Sequence, residues 1–83
     1  MHPQEFAPDW RPPVAIRIGR GHVELIHNPR EGLDYLAHRW PLGQGPLKAG
    51  AQKSCCDALE NKSDLPSARE AFIAAAIEVD VLA

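Results

Sequence analysis

"VAIRIGRGHVELIH", residues 14 to 27, decides the fold of this chain. Val14, Ile16 and Ile18 alternate with Ala15 and Arg17, and Val23 and Leu25 alternate after "GRG". A period of two is the mark of a strand with one buried face. The Gly-Arg-Gly at 19–21 supplies the positive φ that a short hairpin turn or its bulge demands. The stretch therefore reads as an antiparallel β-hairpin.

Downstream, the period changes. Asn28 suits an N-cap, Pro29 the first helical position, and Glu31 can reach back to the orphan amide groups, so a helix begins there. Leu33, Leu36, Ala37 and Trp40 fall at i, i+3, i+4 and i+7 and form its apolar stripe. Pro41 disfavours helical geometry at the residue before it and ends the helix. Gly43 and Gly45 permit a tight reversal, and Pro46 opens a second helix. On it Leu47, Ala51, Cys55, Ala58 and Leu59 share an arc of about 120° at 100° per residue. A third helix starts near Pro66 or Ser67, where Ser67 and Glu70 have capping-box spacing. Ala68, Phe72, Ala75, Ala76 and Val79 make its core face, while Ile73, Ala74 and Ile77 spread apolar surface further round the cylinder. The closing "EVDVLA" can prolong this helix or alternate as a short third strand against the hairpin.

Upstream, four of the eight prolines lie in the first thirteen residues, which favours an extended, unpaired segment. Residues 1–12 are read as a Pro-rich tail and residues 13–83 as one small α+β domain. Trp10 is large enough to dock the tail onto that domain. With 83 residues the chain buries only about 60 to 65% of its unfolded surface, which leaves no apolar material for a second core.

Hydrophobic residues at 45% and charged residues at 24% are the balance of a folded globular protein. The longest nearly apolar run, from Ala71 to Ile77, falls short of the ~20 residues that span a bilayer. The N-terminal "MHPQEFAPDWRPP" lacks the apolar core of a signal peptide, so the expected compartment is the cytoplasm, with no membrane partner. Seven Lys or Arg against five Asp or Glu in residues 1–53, and two against six in residues 54–83, give halves of +2 and −4. That asymmetry is too small for a dedicated nucleic-acid binder.

Motifs with chemistry are sparse. Gly45 and Gly50 have the spacing that begins a phosphate-binding loop, but Ala51 and Gln52 stand where its Lys and hydroxyl belong. Cys55 and Cys56 are adjacent, and on a helix their side chains diverge by 100°. Cys55 therefore reads as a small core residue and Cys56 as its flank. The four histidines show no ligand spacing, so neither metal nor any other cofactor is expected. The carboxylates Glu24, Glu31, Asp34, Asp57 and Glu60 read as a wet face rather than as acid–base groups, and no catalytic residue is assigned. Arg17, Arg20 and His22 cluster at the hairpin tip, and a β-ribbon of that kind can enter a DNA groove.

"PVAI" from Pro13, Trp40 with Pro41, the Ala51, Cys55, Ala58 and Leu59 series, and "AREAF" from Ala68 to Phe72 occur in an order that resembles a small bacterial family known as domain of unknown function 982. The resemblance covers roughly residues 10 to 80 and implies a bacterial protein without assigned activity, so no site residue carries over from it. The residues themselves point to a non-enzymatic interaction module, acting as a homodimer or with another protein through Ile73 and Ile77. The alternative is a weak nucleic-acid-associated regulator using Arg17, Arg20 and His22.

Overall fold

The computed structural model describes residues 9–41 and 45–83. Most of the expected tail and the centre of the Gly-rich corner lie outside the described residues. Two strands, β1 (Val14–Ile16) and β2 (Glu24–Ile26), are followed by three helices, α1 (Pro29–His38), α2 (Leu47–Leu59) and α3 (Leu65–Glu78). This is the α+β arrangement of a hairpin and three helices read from the sequence.

The strands pair antiparallel with Val14 opposite Ile26, Ala15 opposite Leu25 and Ile16 opposite Glu24. The chain reverses through Ile18 to Gly21, where the Gly21 N–H donates to the Ile18 carbonyl at 3.1 Å and Gly19 takes φ +63°. Side chains opposite one another share a face, so Ile26 joins Val14 and Ile16 in the core. Val23 and Leu25 point the other way and stay 45% and 50% exposed. The alternation after the turn is real, but its buried set is the even-numbered one.

Asn28 caps α1 as its sequence position implies. Its Oδ1 accepts from the Glu31 N–H at 2.9 Å, while Glu31 Oε1 accepts from the N–H of His27 at 2.7 Å. The buried residues of α1 are Pro29, Gly32, Tyr35 and Leu36, with Leu33 half-buried and Ala37 exposed. The stripe is thus turned toward Gly32 and Tyr35 from the expected Leu33 and Ala37. Room on that side is made by Gly32, where a Cβ would stand 3.1 Å from Cη2 of Trp10 and 3.4 Å from Cδ1 of Phe72.

On α2, Ala51, Cys55 and Ala58 are buried as expected and Leu47 is exposed. Helix α3 begins earlier than its Ser67 and Glu70 suggest. Asp64 is the cap, its Oδ1 accepting from the Ser67 N–H at 2.8 Å, and Pro66 sits in the first turn. Both α2 and α3 end on a non-glycine residue in the left-handed region, Asn61 at φ 62° and Asp80 at φ 60°. In each case the next residue closes back on the helix: Lys62 donates to Asp57 at 2.7 Å and Val81 to Ala76 at 2.9 Å.

The stop at Asp80 sends the chain back along β1. Arg17 N–H donates to the Val81 carbonyl at 2.7 Å and Ala83 N–H to the Ala15 carbonyl at 3.0 Å, bracketing one bridge between Ile16 and Leu82. A bridge, rather than a third strand, is what the closing residues form.

The helices lie over one face of the hairpin, with α2 against both α1 and α3, and α3 over β1. At the centre, Phe72 is fully buried between two tryptophans, its ring centroid 5.5 Å from that of Trp10 and 5.5 Å from that of Trp40. Trp10 is 3% exposed, and its main-chain N–H donates to the His27 carbonyl at 2.6 Å. Arg69 Nε donates to the Pro12 carbonyl at 2.9 Å. Residues 9–12 are therefore fastened to the domain, as the docking role read for Trp10 requires.

Candidate functional site

Ile73 and Ile77 stand one turn apart on α3 and part company in burial. Ile73 is half-buried and packs against the core, whereas Ile77 is 60% exposed, the highest value among the exposed large hydrophobics of the described residues. The buried face of α3, made of Ala68, Phe72, Ala75 and Ala76, centres almost opposite Ile77 at 100° per residue. Surface apolarity on this helix thus rests on Ile77, with Ile73 as its inner flank.

Arg17, Arg20 and His22 are all exposed. Arg17 shares a shallow concavity with Asp80 and the last three residues. His22 lies close enough to Glu24 for its charge to help lower that carboxyl's pKa. Each of these two thus has an acidic side chain nearby.

A cluster that the sequence reading passed over joins β2 to α1. Arg39, at the end of α1, forks onto Glu24 with Nη1 and Nη2 at 3.3 and 3.1 Å from the two carboxylate oxygens. Its guanidinium lies 4.4 Å over the centre of the Tyr35 ring. Hydrogen bonds from Tyr35 and Arg39 hold the Glu24 carboxyl below its ordinary value. Burial, reinforced by the Glu24 carboxylate, pushes the Tyr35 hydroxyl up. A carboxylate held ionised and already occupied by two donors is a poor general base, so the cluster fastens α1 to β2 rather than moving protons. The signal for it is weak in sequence, because Glu24 and Arg39 lie 15 positions apart, on different elements.

Beside the cluster runs an open groove of about 480 Å³ along β2, lined by Glu24, Leu25, Ile26 and His27 on one side and by α1 residues, Arg30, Asp34 and Tyr35 among them, on the other. Of the other carboxylates, Glu31 lies 3.0 Å from His27 Nδ1 and Asp57 2.9 Å from Lys53 Nζ. The two cysteines are free, Cys55 buried and Cys56 exposed. Burial pushes the Cys55 thiol up to about 12. The Glu60 carboxylate, more than any other group, raises that of Cys56. Among the described residues no group of three or more His, Cys, Asp or Glu is placed to hold a metal ion, and no helix is long and apolar enough to cross a membrane.

These features define a small α+β domain whose described surface offers an exposed isoleucine on α3 and a groove beside β2. Residues 12–83 match the model of the family described as protein of unknown function (DUF982), and the chain belongs to that family. It is also similar to a solved structure, the NMR structure of the Agrobacterium tumefaciens protein Atu1219. The two are 28% identical, the match covers 90% of this chain and 75% of that one, and the TM-score is 0.77. No curated protein matches the chain significantly. The neighbour is a bacterial protein, and the family is described as one of unknown function.

Proposed function

We propose that this domain is a non-enzymatic interaction module of the cytoplasm, which meets a second copy or another protein through the α3 ridge. One observation carries the reading: Ile77 leaves 60% of its surface in water on a helix whose opposite face already fills the core. Burying such a side chain against a partner contributes on the order of 1.5–3 kcal/mol, which is why apolar ridges of this kind mark contacts. The free thiols of Cys55 and Cys56 fit a reducing compartment.

Ile77→Glu tests the ridge without disturbing Ile73, which the core needs. The wild type and the variant are compared by sedimentation, circular dichroism and capture of proteins from native cell extract. Loss of self-association, or of a captured protein, in a variant of unchanged helicity is expected. Equal mass and equal capture for the two would overturn the reading.

A further inference from the structure

Helix α2 begins without a cap of its own. Its N-cap position is Pro46, which makes no side-chain hydrogen bond to the helix, and its first turn holds no acidic residue. None of residues 47–50 is buried, and the buried residues of α2 start at Ala51. The positive end of a helix carries N–H groups that lack an acceptor within the helix and favour a negative charge nearby. Here both come from another helix, because the Leu47 N–H donates to Glu78 Oε1 at 3.0 Å. Glu78 is the last residue of α3, where a carboxylate faces the negative end of its own helix dipole, so α3 gains nothing from the charge. The approach passes over Gly45. A Cβ there would stand 2.7 Å from Glu78 Oε1 and nearer still to its Cδ and Oε2, too close to share the space. Gly45 is not in the left-handed region, so the position uses the missing side chain and not the backbone freedom of glycine.

We infer that Glu78 is a conformational latch. Engaged on Leu47, it caps α2 from α3 and fastens the end of the Gly-rich corner; swung out, it frees the first turn of α2 while the core stays closed. The bond joins positions 31 apart in sequence, so it holds two elements together rather than completing one. Among the described residues Glu78 forms no ion pair, which leaves its carboxylate to the start of α2. A glutamate tip moves without its backbone, and the turn that it holds has no buried anchor. The latch therefore opens without unpacking Ala51, Cys55 and Ala58 on α2 or Ala75 and Ala76 on α3. It uses neither the Ile77 side chain nor a partner, so it stands or falls separately from the interaction proposed above.

Hydrogen exchange at the Leu47 amide tests the latch. An amide in the first turn of a helix has no intrahelical acceptor and exchanges freely unless a group outside the helix holds it. Protection of the Leu47 amide by about tenfold or more over the same amide in Glu78→Ala is expected, with the rest of the fold intact by circular dichroism. Gly45→Ala is the independent probe. Alanine suits the backbone at that position, so its Cβ acts by turning the Glu78 carboxylate out. It should strip the Leu47 amide of protection as fully as Glu78→Ala does, and combining the two substitutions should add nothing further. A Leu47 amide that exchanges freely in the wild type, or that keeps its protection in either single variant, would overturn the latch.

Discussion

Phe72 shows most directly what a single residue decides here. It is fully buried, and the rings on its two sides come from positions 10 and 40. Periodicity on α3 identifies Phe72 as core, but no local pattern says that Trp10, beyond the hairpin, is its neighbour. Cys55 is the opposite case, since its place between Ala51 and Ala58 on one helical stripe is legible from spacing alone. Burial keeps that thiol protonated up to about pH 12. A thiol reagent at neutral pH should therefore label Cys56 well before Cys55, because the thiolate is the reacting form. Equal rapid labelling of both in the folded protein would contradict the burial. The same shift has a stability consequence of definite sign. The folded value lies above the ordinary 9.0, so Cys55 adds stability that is whole below pH 9 and is lost as pH rises toward about 12. Cys55→Ala should flatten the alkaline fall in urea-unfolding free energy over that window and leave the slope near neutrality unchanged.

At the scale of elements, existence was legible and orientation was less so. Asn28, Pro29 and Glu31 announce α1 because capping is chemistry within four residues. Which stripe of α1 turns inward is decided instead by what lies opposite, and there Gly32 admits the edge of Trp10 while Ala37 meets water. The β2 alternation was ambiguous for a similar reason: Val23 and Leu25 are as apolar as Ile26, and only pairing with Val14 and Ile16 selects the even set. At α3, Ser67 and Glu70 suggest a capping box in the sequence, but the cap is Asp64. Asp64 prevails because a carboxylate in extended geometry, Asp64 having ψ 163°, reaches the Ser67 N–H directly. Asp64→Ala should then lower stability more than Ser67→Ala does. Hydrogen bonds from the Ser67 side chain and then its N–H lower the Asp64 pKa, so the cap's contribution is present above the ordinary carboxyl range and fades as pH falls through the lowered value. The difference between wild type and Asp64→Ala should accordingly shrink in acid, as read by thermal unfolding.

Across the whole molecule, the core is closed by a residue that the sequence assigns to a tail. Prolines before and after it make residues 1–12 look like an unpaired approach to the domain, and the size of Trp10 suggests docking without saying that its ring reaches the centre. Yet the Trp10 main chain is bonded to His27, its ring faces Phe72, and it touches the space left open by Gly32 on α1. Strand, helix and N-terminal segment thus meet at one indole, so its removal should act on the fold as a core deletion does. Trp10→Ala is expected to cost about 3–5 kcal/mol, a large share of the 5–15 kcal/mol that holds a small domain together. The exposed hairpin tip supplies the contrast, since Arg17→Glu with Arg20→Glu touches no buried group and should change stability by only about 0.5 kcal/mol. Urea unfolding of the two variants separates the cases. A Trp10→Ala protein as stable as the tip variant would mean that residues 9–12 rest on the surface and that Phe72 is closed over by Trp40 alone.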